Sequence, residues 1–296
     1  MFAGILEVIG SGVGTWHHDR QFASLDQQPV IRQNRDTFYS VSIADISAGA
    51  VLTLPDAGDR YLSAMVINED HYINEVFHDA GRYELTTARF DTPYVCIGVR
   101  ILVDPNDPED VKTVHALQDQ LRLESTSAQP LPTPEYDEPS FTATRTALLE
   151  LSEGLGGYDH AFGSKETVDP VRHLIGTAAA WGGLPQAEAY YVNVNPKLPV
   201  GEYQLTVRDV PVDAFWSISL YNAAGYFEPN DRDAYSVNSV TGVRNDDGST
   251  TVSFGGCDSG RPNCLPIMDG WNYLVRLYQP HPEVLSGEWT FPTVGT

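Results

Sequence analysis

From about residue 30 to residue 103, short runs of β-branched and aromatic residues recur at roughly 8–12-residue intervals, and this spacing restricts the fold more than any other feature. Phe38–Ala44, Ala50–Leu54, Arg60–Ile67, His71–His78 and Pro93–Val103 read as strands. Pro55-Asp56-Ala57-Gly58-Asp59, Asp79-Ala80-Gly81 and Asp91-Thr92-Pro93 separate them with residues that favour turns. Strands this close together leave no room for crossover helices. They predict an antiparallel sandwich or barrel and argue against a βαβ fold.

The middle of the chain changes period. Asp107-Pro108-Glu109-Asp110 supplies an acidic N-cap, a first-turn proline and acids at the positive end of a helix. That helix is expected to continue through Val111, Val114, Leu117, Leu121 and Leu123, apolar residues mostly three or four apart. Residues 125–139, with Pro130, Pro132, Pro134 and Pro139, read as a linker. Further helices are expected from about Phe141 to Glu153 and from Asp169 to Ala180, the second ended by Gly182-Gly183-Leu184-Pro185. Strand character returns at Tyr203–Val207, Phe215–Tyr221, Thr250–Phe254 and Tyr273–Tyr278, with Asn245-Asp246-Asp247-Gly248 as a hairpin turn. The expected organisation is an N-terminal β domain over 1–124, a helical connection over 125–185 and a C-terminal β domain over 186–296.

Charge narrows the partners. The net charge is −22, and only Lys112, Lys165 and Lys197 are lysines. Such a surface repels phosphate backbones and anionic lipid, which argues against nucleic-acid and membrane-surface binding. No run approaches the about 18 apolar residues of a membrane span. The start lacks a basic region before Arg20, so a cytoplasmic location is expected, with secretion open if a leader has been removed. Cys257 and Cys264 flank a Gly/Asp-rich loop. They can join in a disulfide or remain free thiols; without a matching second pair, zinc is the weakest reading.

Asn34-Arg35-Asp36-Thr37-Phe38-Tyr39 gathers an amide, a guanidinium, a carboxylate and a phenol where the chain enters a strand. Arg35 can hold a carboxylate or phosphate through two N–H groups, and Asp36 or Tyr39 can move a proton. The competing reading is an Arg35–Asp36 ion pair beside a turn capped by Asn34. His71 follows Glu69 and Asp70; if the segment is a strand, Glu69 shares its face and can orient it as a general base. Asp169 and His173 stand four apart on a predicted helix, the spacing of a structural pair. Asp231-Arg232-Asp233-Ala234-Tyr235-Ser236 faintly echoes Asn34–Ser40. The dinucleotide, P-loop and nucleophile-elbow motifs are missing, so no organic cofactor and no α/β-hydrolase chemistry is expected. Asp104, Asp107, Glu109 and Asp110 can bind calcium, but the helix start already accounts for them.

Asn34–Ser40, Glu69–Tyr72 and Val103-Asp104-Pro105 resemble the domain-of-unknown-function family 1254. Phe215–Asn222, Asn245–Ser249, Trp271–Tyr278 and Trp289–Pro292 resemble its frequent C-terminal partner, family 1214. The resemblance implies an N-terminal immunoglobulin-like β-sandwich, a short helical connection and a C-terminal jelly-roll-like β-sandwich. It implies no activity. Two functional expectations follow. One is a cofactor-independent hydrolase or lyase acting on a small polar or anionic substrate, with Asp36, Tyr39 and His71 catalytic and Asn34, Arg35, Trp216 and Tyr221 binding substrate. The other is a saccharide-binding or assembly module that forms homo-oligomers.

Overall fold

A computed structural model of the chain describes residues 1–10, 12–26, 28, 31–155 and 157–294. The chain is mainly β and divides into two compact units that do not follow its order. The N-terminal unit comprises residues 1–20 and 38–186; the C-terminal unit comprises residues 21–37 and 187–296.

The N-terminal unit contains α1 (Phe2–Ile9), β1 (His17–His18), β2 (Thr37–Asp45), β3 (Ala50–Leu54), β4 (Leu62–Asn68), β5 (Ile73–Phe77) and β6 (Gly81–Leu85). It continues with α2 (Thr87–Phe90), β7 (Tyr94–Leu102), α3 (Pro108–Gln118), β8 (Arg122–Ser125), α4 (Glu138–Glu153) and α5 (Pro170–Ala179). The strands form a five-stranded sheet, β1-β2-β7-β4-β5, and a three-stranded sheet, β6-β3-β8. β4 and β7 pair without a register shift from Leu62↔Ile101 to Asn68↔Val95.

Both acidic caps form as the sequence indicates. Asp107 accepts from the Glu109 N–H at 2.9 Å, and Asp169 accepts from Val171 and Arg172 at 3.0 and 2.9 Å. The predicted α3 is too long. It ends at Gln118, and Leu123 instead faces Leu52 across β8 and β3. Ladder hydrogen bonds and burial of the Leu52–Leu123 pair outweigh a helical spacing that was already irregular at its end. Of the acids considered for calcium, Asp110 pairs with Arg60 and Glu109 with Lys112.

The C-terminal unit contains β9 (Ala189–Val194), β10 (Tyr203–Val207), β11 (Trp216–Tyr221), β12 (Ser236–Asn238), β13 (Thr250–Phe254), β14 (Cys264–Leu265), β15 (Asn272–Tyr278) and α6 (Pro282–Leu285). One sheet runs β12-β11-β15-β9 and the other β10-β13-β14. Trp216, Ile218 and Leu220 of β11 and Tyr273, Val275 and Leu277 of β15 meet Leu205, Val207, Val252 and Phe254 of the second sheet in one apolar core. The Asn245–Gly248 turn closes, with Gly248 at φ +82°, but it does not join paired strands, since β13 pairs with β10 and β14. Cys257 and Cys264 form a disulfide with Cα atoms 5.6 Å apart.

Candidate functional site

β11 and β15 are buried along their whole lengths, so both faces of the sheet they share are covered. On the face away from the apolar core, strand alternation places Ser217, Ser219 and Tyr221 from β11 beside Leu274 and Arg276 from β15. Polar residues alternating with apolar ones ordinarily mark a solvent face. Here residues 32–36 lie over them.

Their fit is made by hydrogen bonds. Arg276, 3% exposed, donates to Ser219 Oγ at 2.7 Å, to the Arg32 and Gln33 carbonyls at 2.8 and 3.1 Å, and to Tyr221 Oη at 3.0 Å. Tyr221 in turn donates to the Gln33 carbonyl at 2.7 Å. Burial opposes the Arg276 charge, but Tyr221, Tyr278 and Asp36 outweigh it and hold the guanidinium protonated. A cation is thus used to tie two backbone carbonyls to a sheet.

Asp36 is wholly buried. Its Oδ2 accepts from Ser217 Oγ at 2.6 Å, whereas Oδ1 is buried without a well-formed hydrogen bond among the described residues. Burial raises its pKa above the ordinary carboxylate value, with Arg276, Ser217 and Asn238 opposing the rise. Asn34 caps the turn before it, accepting from the Asp36 N–H at 2.9 Å. The Arg35–Asp36 ion pair does not form. Arg35 turns away and places its guanidinium 4.8 Å from the Phe22 ring, 5.0 Å from Tyr235 and 5.7 Å from Phe227, with one N–H on the Ala23 carbonyl at 3.2 Å. Tyr235 belongs to the segment that echoes Asn34–Ser40, so the echo marks a contact. Burial lowers the Arg35 pKa, and Tyr235 and Asp233 act against that.

Tyr221 therefore joins Asn34, Arg35 and Asp36, but its ring is fully buried. Trp216 points to the opposite face and packs in the apolar core. Neither offers an accessible ring on which a sugar could stack.

Tyr39 and His71 belong to the N-terminal unit. His71 lies in the turn between β4 and β5, at φ +68°, and not in a strand. Asn68 organises that turn, accepting from the Asp70 and Tyr72 N–H groups at 3.0 and 2.9 Å. Face alternation therefore does not apply: Glu69 accepts from the Tyr94 N–H at 3.2 Å and does not orient His71. The His71 ring sits on Trp181 and His173, with centroids 5.2 and 5.4 Å away. Its Nε2 accepts from the Gly182 N–H at 2.9 Å, so Nδ1 carries the proton and faces Thr177 Oγ1 at 2.7 Å. Burial, reinforced by His173, lowers its pKa to about 3. The neutral ring has no lone pair left for a substrate proton. His173 does not pair with the Asp169 carboxylate; its ring nitrogens face the Ala161 and Asp70 carbonyls at 2.9 and 3.2 Å. The Gly182 carbonyl accepts from Arg100 at 3.0 Å, and Arg100 lies 5.2 Å over the Tyr39 ring.

Sequence reasoning missed Ser217, Ser219 and Arg276. The Trp-Ser-Ile-Ser-Leu-Tyr run and the lone cation in Tyr273–Tyr278 carried the signal, since a charge amid a buried strand needs partners.

Residues 13–83 match the profile of a family described as protein of unknown function (DUF1254), and residues 195–282 match another so described (DUF1214). The two matches fall in the N-terminal and C-terminal parts of the chain respectively. Asn34–Ser40 lies in the first, and both β11 and β15 lie in the second. No curated protein matches the chain significantly. The crystal structure of the VPA0106 protein from Vibrio parahaemolyticus is similar in fold, with a TM-score of 0.72 at 18% identity over 89% of each chain. A putative uncharacterized protein from Burkholderia cenocepacia gives a TM-score of 0.57 at 15% identity, over 93% of this chain and 81% of its own. These likenesses concern the fold alone.

Proposed function

We propose that the protein binds a small anionic molecule through Arg35, without an organic cofactor. The observation that carries this reading is the setting of the guanidinium. It is half-buried, bracketed by three aromatic rings, hydrogen-bonded to one carbonyl, and without a carboxylate at ion-pair distance among the described residues. Rings that exclude water strengthen its remaining N–H groups as donors to an oxyanion. In a chain of net charge −22, a cation so placed selects anions locally while the rest of the surface repels larger polyanions.

Binding is favoured over a hydrolase or lyase step. Asp36, the adjacent carboxylate, is wholly buried, and His71 is bonded at both ring nitrogens. Saccharide stacking loses support from the burial of Trp216 and Tyr221. The Cys257–Cys264 disulfide supports an oxidising compartment over the cytoplasm.

Calorimetric titration of wild type and Arg35→Met with carboxylates, phosphate, sugars, lactones and divalent metals tests this. One anion class should bind the wild type and weaken at least about tenfold in the variant, a loss of about 1.4 kcal/mol. Binding of sugars alone, or anion binding equal in both proteins, would remove the basis for the proposal.

A further inference from the structure

β10 lies at the end of the sheet β10-β13-β14, and its pairing with β13 determines which way its backbone points. The two strands pair without a register shift from Tyr203↔Phe254 to Val207↔Thr250. The Ser253 and Gly255 N–H groups donate to the Asn263 and Leu265 carbonyls at 3.0 and 2.9 Å, on the side away from β10. Along an antiparallel strand, successive residues alternate between bonding to one neighbour and facing the other side. Phe254, Val252 and Thr250 therefore bond to Tyr203, Leu205 and Val207, and the N–H and C=O groups of Gln204 and Thr206 point out of the sheet edge. Among the described residues, no other segment hydrogen-bonds to the backbone of either. Both residues are exposed.

Edge strands are ordinarily protected by lysine, proline, a bulge or a charge. Tyr203-Gln204-Leu205-Thr206-Val207 has none of these. The edges of the three-stranded sheet in the N-terminal unit differ: β6 carries Arg82 and Glu84, and β8 carries Arg122 and Glu124. What flanks β10 is an acid before it and a base after it, Glu202 and Arg208, each three residues from Leu205. They have partners in the chain, Arg261 and Asp247, yet their side chains remain 59% and 50% exposed. A carboxylate accepts and a guanidinium donates several hydrogen bonds, so each can take a second partner. Alternation puts Glu202, Gln204, Thr206 and Arg208 on the outer face, while Leu205 and Val207 pack in the apolar core.

We propose that β10 pairs antiparallel with β10 of a second copy of the chain, about a two-fold axis at Leu205. Gln204 of each copy then stands opposite Thr206 of the other. Because both residues point outward, each such pair exchanges both of its N–H···O bonds. The same axis sets Glu202 opposite Arg208 of the other copy, so opposite charges close both ends of the ladder. This self-complementarity is what selects a second copy over an unlike strand, since an isologous contact requires one patch to match itself. The two sheets become one continuous sheet across the axis. A ladder this short buries little surface, so the association depends on concentration. It uses neither Arg35 nor Asp36 and is independent of anion binding.

Sedimentation velocity of the full-length protein over a concentration series should show a monomer–dimer equilibrium. Hydrogen exchange then reads the ladder. The Gln204 and Thr206 amides should slow as the dimer fills, whereas the Leu205 and Val207 amides, already bonded to β13, should not change. Thr206→Pro removes an outward N–H from each copy and should weaken the dimer at least about tenfold. Glu202→Arg and Arg208→Glu should each dimerise roughly fivefold more weakly alone, because like charges then meet at both ends. Mixing those two proteins should restore association, since every charge again faces its opposite. That recovery reads the pairing even where Thr206→Pro fails to fold. A chain that stays monomeric up to about 1 mM would overturn the proposal. So would a dimer that Thr206→Pro leaves intact, or a mixture that associates no better than either variant alone.

Discussion

His71 and Asp36 are both buried titratable groups, one in each unit, and their surroundings differ in a single respect. Every polar atom of the neutral His71 ring has a partner: the Gly182 N–H on Nε2 and Thr177 Oγ1 on Nδ1. Asp36 has one oxygen on Ser217 and another without a well-formed bond. A side chain saturated in its neutral state acts as a clasp, and here it fastens the loop after α5 to the β4–β5 turn. A half-saturated one leaves its ionised form only partly compensated, so the fold disfavours its charge even with a cation nearby.

The largest effect that would sharpen this contrast comes from Arg276→Met. The Arg32 and Gln33 carbonyls lose a donor and Asp36 loses the charge that favours its ionised form, so stability should fall by about 3–5 kcal/mol in urea titrations at pH 7. A loss below about 1 kcal/mol would mean that the segment is held by packing alone.

The second effect is a pH slope. The pKa of His71 is lowered on folding to about 3, so the unfolded chain takes up a proton from pH 6.5 downward while the folded one does not. Stability should be flat above pH 6.5 and fall by up to about 1.4 kcal/mol per pH unit towards pH 3 from this residue. His71→Asn, which tolerates the positive φ, should remove that slope; an unchanged slope would show that His71 is charged in the fold.

The smallest effect has the opposite sign. Because burial raises the Asp36 pKa, its contribution is fully present below the unfolded carboxylate value and is lost as pH rises through the folded value. Asp36→Asn should therefore gain on the wild type in urea midpoint between pH 4 and pH 7. A gap that narrows over this range would place Asp36 with the fully satisfied groups.

Much of the fold was legible. Strands rich in β-branched and aromatic residues lie near their expected positions, and the Asp107 and Asp169 caps could be read because N-capping is a local interaction. The site was legible only in part. Asn34, Arg35 and Asp36 stood out because they are adjacent, yet their partners Ser217 and Tyr235 are some two hundred residues away, a separation no local pattern encodes. Tyr39 lies four residues from Arg35 but belongs to the other unit, so adjacency misled there. His71 failed for a different reason. Asn68-Glu69-Asp70 is a turn signal, and treating it as strand imposed an alternation the backbone does not have.

The position of residues 21–37 also fixes an order of events during synthesis. The C-terminal sheet needs a segment that leaves the ribosome early, and its clasp closes only when Arg276 reaches carbonyls 244 and 243 positions before it. Contacts of such sequence separation form late, after the entropy of closing a long loop has been met. Until then the serines of β11 and the guanidinium of β15 must stay in water, and the early segment must wait without its sheet. A fragment that begins at Ala187 would remain in that unfinished state indefinitely.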